Sequence, residues 1–282
     1  MNVLIVDHHF SQDIDALVGA SATDDVIRIV PAELFAARAR LIFPGDVFDE
    51  LSRYYDLDLA PQREAYRRVA RRVTTELYLT FPFDALVLPS DTFFYLRDVI
   101  ELVREWGIPT IVVQKESGVS AKSLADHATD LKRWFPFSGD LMTVCSQKSK
   151  DFWVAAGTRP DQVEIPGQPR FDVYHNGGEG ANLAALGVRV CAERPVLLFL
   201  SYDLDAYAEE RARGESHRPW QQLHDDTERV LLSLAAEGSY TLVIKPHPQQ
   251  AATHLAALRE RLAFSPNTFV LPPDADTGSR IL

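Results

Sequence analysis

Lys245-Pro246-His247-Pro248 places a cation and an imidazole in a rigid turn directly after the apolar run Tyr240-Thr241-Leu242-Val243-Ile244. Such a run reads as a buried strand, and a polar turn at the carboxyl end of a strand lies where open α/β sheets bind ligands. Pro248 suits the first position of a helix and His247 its cap, since Gln249 to Leu262 carries Leu255, Leu258 and Leu262 on one face. Lys245 and His247 then stand beside free helix N–H groups, which favours an anionic ligand, a phosphate or diphosphate. The competing reading is a tight strand-to-helix turn with a solvated lysine.

A proton-transfer group is sought at the carboxyl ends of the earlier strands. Gln114-Lys115-Glu116-Ser117-Gly118 follows the run Thr110 to Val113, and Glu116 is the first choice as base. A loop carboxylate is usefully basic near neutral pH only where burial or a neighbour raises its pKa. Asp7-His8-His9 follows the first strand and offers two imidazoles, with a structural His-His turn as the alternative. Asp203-Leu204-Asp205 supplies two carboxylates, too few to argue for Mg²⁺, and reads as a solvated loop or an acceptor contact. Lys148 and Lys150 fall in a first helical turn, where cations oppose the helix dipole, and read as surface charges. Arg63, Arg67 and Arg71 share one helix face. They could meet anionic lipid headgroups or a polyanionic glycan, at about 1 kcal/mol per arginine near a membrane, or form the solvated back of the helix.

These residues need elements to hold them. Val3 to Val6, Val26 to Val30, Ala85 to Leu88, Thr110 to Val113, Met142 to Cys145 and Val163 to Ile165 read as strands of a parallel sheet covered on both faces. Helices are predicted over Gln62 to Leu79, over Asp91 to Trp106 with Asp91 as cap, and over Ser146 to Ala156. The glycines of His175-Asn176-Gly177-Gly178-Glu179-Gly180 follow no strand, so they read as a connection between domains and not as a phosphate loop. Beyond them the β–α order restarts: strand Pro195 to Ser201, helix Pro219 to Glu237, strand Tyr240 to Ile244, helix Gln249 to Leu262, strand Thr268 to Leu271. The expected organisation is a doubly wound domain over 1–174, a linker over 175–189, and a second, shortened Rossmann-like domain over 190–282. A cleft between the carboxyl edges of the two sheets is the expected site.

Composition narrows the function classes. The 282 residues are 46% hydrophobic with a formal net charge of -11, against the basic surface that a sequence-independent nucleic-acid binder needs. No apolar run approaches the roughly 20 residues that cross a bilayer, and the amino terminus opens directly into a strand. The expectation is a cytoplasmic protein, with the arginine face as a peripheral contact at the inner membrane surface. Two cysteines, Cys145 and Cys191, show neither disulfide nor zinc spacing.

Two motifs carry a resemblance. Val163-Glu164-Ile165-Pro166-Gly167-Gln168-Pro169-Arg170-Phe171-Asp172, after Ser146-Gln147-Lys148 and Ala155-Ala156-Gly157, resembles the end of the acceptor domain of GT-B glycosyltransferases. Lys245-Pro246-His247-Pro248 resembles the His-Pro motif of the capsule-polysaccharide and CDP-glycerol glycerophosphotransferase branch, and more distantly of nucleotide-sugar 2-epimerases. The resemblance implies two Rossmann-like domains and a metal-independent, cofactor-free transfer of a sugar or polyol phosphate from a nucleotide donor to a glycan hydroxyl. It further implies donor-phosphate contacts from Lys245, His247, Arg170 and Gly167, and a catalytic role for His247 beside Glu116 or His8. Acceptor contacts would come from His9, Gln114, Lys115, Gly118 and Asp203. A nucleotide-sugar epimerase or hydrolase is the alternative, although Asp7-His8-His9 lacks the Arg-Pro-Glu-like turn expected of such epimerases. A non-catalytic nucleotide- or glycan-binding scaffold is the third reading, and association of copies through an exposed sheet edge is a further expectation.

Overall fold

A computed structural model of the chain describes residues 1–8, 10–114, 124–172, 183–184, 186–201, 218–247, 250 and 252–272. The chain divides into two compact units, Met1–Asn176 and Gly177–Leu282. The first contains strands β1 (Asn2–Asp7), β2 (Val26–Pro31), β3 (Ala85–Leu88), β4 (Thr110–Val113), β5 (Leu141–Thr143) and β6 (Val163–Glu164). Its helices are α1 (Ser11–Ala20), α2 (Glu33–Arg40), α3 (Asp46–Asp49), α4 (Ala60–Thr80), α5 (Phe94–Glu105), α6 (Leu124–Trp134) and α7 (Gln147–Ala155).

The strands are apolar without alternation because both faces of the sheet are covered. Leu4, Val6, Leu86, Leu88, Val112 and Met142 point to one side, where Phe35 of α2, Tyr66 and Ala70 of α4, and Leu96 and Ile100 of α5 close the larger core. Val3, Ile5, Val87 and Val113 point to the other, against Phe10 and Ile14 at α1. Each such fully buried side chain contributes about 1.5–3 kcal/mol relative to exposure. All pairings are parallel, in the order β2-β1-β3-β4-β5-β6. Chain order reverses direction between β1 and β3, so the switch point of this sheet, where such folds bind ligands, lies at their carboxyl ends.

The second unit contains β7 (Val196–Leu200), α8 (Arg218–Glu237), β8 (Thr241–Lys245), α9 (Ala252–Leu262) and β9 (Thr268–Val270), its strands parallel in the order β7-β8-β9. Leu242 and Ile244 of β8 face Leu231, Ala235, Leu258 and Leu262 of the two helices. Val243 faces the other way, against Val188 and Leu271. Residues just after the glycine run are therefore packed: Val188 is buried in this core.

One helix start differs from expectation. Helix α5 begins at Phe94, preceded by Phe93 with no side-chain cap; the Asp91 carboxylate instead accepts from the Ser138 backbone N–H at 2.9 Å and from its Oγ at 3.2 Å. A distant partner has claimed the oxygen that the local pattern assigned to a helix end. Helix α9 is described from Ala252, with the Gln250 N–H closing a turn on the His247 carbonyl at 3.0 Å; the expected start at Gln249 lies outside the described residues. Helices α1, α2 and α6 have no counterpart in the sequence reading. In α1, a fully buried Asp13 interrupts the apolar face that would have marked it.

Candidate functional site

In the second unit, β8 delivers Lys245 to its carboxyl end and the Pro246-His247 turn follows. The Ser201 N–H, one residue past β7, donates to the Lys245 carbonyl at 2.9 Å, and the Gln250 N–H holds the His247 carbonyl. The turn is thus fastened on both sides by main chain. His247 is exposed, while the half-buried Lys245 donates from Nζ to the Pro246 carbonyl at 2.9 Å. An ammonium and an accessible imidazole at a strand's carboxyl end favour a bound anion, and preorganised donors of this kind stabilise charge that develops on a leaving group. Pro248 and Gln249 lie outside the described residues.

In the first unit, His8 directly follows β1 at the switch point. Its ring meets Phe93, ahead of α5, edge to face with centroids 4.6 Å apart. Gln114, one residue past β4, donates its backbone N–H to Thr143 at 3.0 Å. Its side-chain Nε2 is buried and has no hydrogen-bond partner among the described residues, an unsatisfied donor of the kind that marks a ligand or ordered-water position. Glu116, Lys115, Gly118, His9 and Asp203 lie outside the described residues.

Arg170 is committed elsewhere. Its backbone N–H and its Nε and Nη2 converge on Asp13 of α1 at 3.0, 2.9 and 2.5 Å. The guanidinium that the resemblance assigned to donor phosphate therefore locks the Gly167–Asp172 segment onto α1. Gly167 supplies the turn before it at a φ of 98°, in the left-handed region that glycine tolerates at little cost.

The arginine face of α4 is also committed. Arg63 donates to the carbonyls of Tyr54 and Asp56, Arg67 to Asp98, and Arg71 to both carboxylate oxygens of Glu105. Arg68 and Arg72 pair with Glu64 and Glu76. Carboxylates thus pair with Arg67 and Arg71 and main-chain carbonyls hold Arg63, which accords with the reading of this face as the solvated back of the helix. Lys150 likewise donates to the Val163 carbonyl at 2.6 Å. Among the described residues, no three His, Cys, Asp or Glu side chains come together as metal ligands would, and no helix is long and apolar enough to cross a membrane.

Sequence reasoning placed Asp91 only as a helix cap; it is fully buried, and its Oδ1 has no partner among the described residues. Burial pushes its carboxyl above the usual carboxylate range, opposed by the Ser138 N–H. Sequence reasoning did not find the hydrogen-bonded series Ser201, Gln250, His254 and Glu228 behind the Lys245–His247 turn. Its members come from separate elements, so no local spacing signals it.

No protein-family model matches the chain, and no curated protein is significantly similar to it. Solved structures do match along nearly its whole length. The UDP-GlcNAc 2-epimerase from Neisseria meningitidis, bound to UDP-GlcNAc, is 15% identical with a TM-score of 0.54, covering 99% of this chain and 74% of the other. The chain shares the fold of that structure. The UDP-GlcNAc 2-epimerase from Methanocaldococcus jannaschii is 11% identical with a TM-score of 0.52, covering 99% and 75%. The enzyme of the same name from Rickettsia bellii is 11% identical with a TM-score of 0.51, covering 98% and 69%. These matches overturn the expectation of glycosyl transfer, since the structures that share the fold are nucleotide-sugar epimerases.

Proposed function

We propose that the chain binds a nucleoside-diphosphate sugar and alters the sugar itself, as a nucleotide-sugar epimerase or hydrolase, with the diphosphate on the Lys245–His247 turn. The observation that carries this reading is that turn: an exposed imidazole and a half-buried ammonium, fastened on both sides, at the carboxyl end of β8. The GT-B fold shared with UDP-GlcNAc 2-epimerases supports it. Inverting a ring carbon requires a proton to leave one face and return on the other, so an acid–base group is needed. Within the first unit, His8 and Glu116 are the proton-transfer groups proposed from the sequence, and Gln114 Nε2, without a partner among the described residues, is a donor suited to a polar ligand atom. His247 and Lys245 stabilise negative charge on the nucleotide. The nucleotide sugar is the substrate, and no separate cofactor enters the proposal.

The test is calorimetric titration with UDP, CDP and GDP, followed by incubation with UDP-GlcNAc and proton NMR of the products. UDP should bind, His247→Ala should weaken it at least tenfold, about 1.4 kcal/mol, and the C2 epimer or free UDP should accumulate. A preference for CDP would favour the capsule-polysaccharide branch of the resemblance. Absence of binding by any nucleotide would reject the proposal, and binding without turnover would leave a nucleotide-binding scaffold.

A further inference from the structure

Behind the Lys245–His247 turn runs a series of hydrogen bonds that crosses the second unit. Ser201 Oγ lies 3.0 Å from Gln250 Oε1, Gln250 Nε2 lies 2.8 Å from His254 Nδ1, and His254 Nε2 lies 3.0 Å from Glu228 Oε1. Glu228 Oε2 in turn pairs with Arg261 Nη2 at 2.6 Å. Ser201, Gln250 and Glu228 are all buried. The direction of donation through this series is not arbitrary. Glu228, paired with Arg261, is a carboxylate and can only accept, so His254 Nε2 must carry a hydrogen. In the neutral imidazole Nδ1 is then an acceptor. Gln250 must present its NH₂ to that nitrogen and its carbonyl to Ser201, whose hydroxyl hydrogen points inward.

A proton added to His254 reverses everything upstream. Nδ1 becomes a donor, and two donors cannot face each other in a buried site without an unsatisfied group costing about 1–3 kcal/mol. The Gln250 amide relieves this by turning over, since its O and N occupy equivalent positions. Its carbonyl then accepts from Nδ1, its NH₂ donates to Ser201 Oγ, and the Ser201 hydrogen is released outward. Ser201 is tied through its own N–H to the Lys245 carbonyl, beside the turn.

We infer that Gln250 is a positioning residue which converts the protonation of His254 into the hydrogen-bond polarity of Ser201, so that Ser201 donates to an anion at the Lys245–His247 turn only when His254 is charged. The ligand side of this inference rests on the nucleotide-binding reading; the amide reversal does not. Among the described residues, the charged groups in this series are Glu228 of α8, which meets His254 Nε2, and Arg261 of α9, which meets Glu228; on the far side of Gln250, Ser201 adjoins Lys245 and Gln250 itself adjoins His247 through main-chain hydrogen bonds.

Two measurements separate the inference from the reading beneath it. In isotope-labelled protein, a nitrogen–nitrogen coupling across the Gln250 Nε2–H···Nδ1 His254 bond is expected while the ring nitrogen shifts of His254 report a neutral imidazole and should vanish once they report a charged one. Coupling present at both, or absent at both, overturns the reversal, whatever the protein binds. Calorimetry with UDP forms the second arm. Across the pH interval in which those shifts show His254 taking up its proton, the wild type should gain about tenfold more affinity than Ser201→Ala, and Ser201→Thr should restore the gain. His254→Gln should lose it. Titration of UDP itself, and of His247, cancels in the comparison. Equal gains in the wild type and Ser201→Ala overturn the role of Ser201. If no variant binds UDP, the nucleotide reading falls and the coupling alone decides the reversal. Circular dichroism of each variant excludes loss of fold as the cause.

Discussion

Separating Asp13 from Arg170 should cost the first unit more than any loss of surface charge. The Asp13 carboxylate is 0% exposed and takes three donors from Arg170, whose side chain is 23% exposed. Removing one member of a buried pair costs about 3–5 kcal/mol, chiefly because the other charge is left uncompensated. Asp13→Ala leaves a guanidinium that water can partly reach, so the cost should fall near the lower figure, about 3 kcal/mol. Arg170→Ala leaves a carboxylate with no exposure, so its cost should approach about 5 kcal/mol. The double variant leaves no stranded charge and should cost no more than the worse single. A unit of this size loses about 2–4 °C of Tm per kcal/mol, which amounts to roughly 6–12 °C for Asp13→Ala and 10–20 °C for Arg170→Ala. Urea unfolding followed by tryptophan fluorescence is the assay, since Trp106, Trp134 and Trp153 all lie in the first unit. Single variants each costing under about 1 kcal/mol, or a double variant equal to the sum of the singles, would falsify the clamp. UDP affinity provides a cross-check: a phosphate ligand at Arg170 would lower it in Arg170→Lys at unchanged stability.

Two further outcomes follow from buried polar groups. Burial raises the Asp91 carboxyl above its unfolded value, so the native state holds a proton that the unfolded chain releases. The stability this lends is complete below the unfolded value and disappears as pH rises through the folded one. Asp91→Asn should therefore gain on the wild type in urea midpoint as pH climbs from about 4 towards neutrality, and parallel profiles would contradict the assignment. Tyr66 is fully buried and donates to the Tyr95 carbonyl at 2.7 Å. Tyr66→Phe strands that acceptor and should cost about 1–3 kcal/mol by thermal unfolding; a cost below about 0.5 kcal/mol would mean that the bond is not made in solution.

The sheet was legible because its signal is local. A strand covered on both faces must be apolar at successive positions, so Ala85–Leu88 and Thr110–Val113 stand in the structure where the residue runs placed them. Long helices were readable for the same reason. In α4, Tyr66, Ala70 and Val73 recur at helical spacing, and the structure extends the expected span by about a turn. Helices α1, α2, α3 and α6 were not read, and length does not separate them from α7, which was; in α1 a buried Asp13 breaks the apolar face. The Lys245-Pro246-His247 turn was legible as a turn at a strand's carboxyl end, since strand and turn adjoin in the chain.

By itself, then, the sequence determined the α/β class, the positions of the strands and the one turn whose chemistry is contiguous. Tertiary structure decided what the polar side chains do. Arg170 finds its carboxylate 157 positions away, Asp91 caps no helix because Ser138 holds it, and Ser201 reaches His254 only through Gln250. Apolar burial depends on residue type and spacing, which the chain carries openly. A hydrogen bond or ion pair depends on which two groups arrive within about 3 Å of each other, and only the packed sheets and helices bring them there.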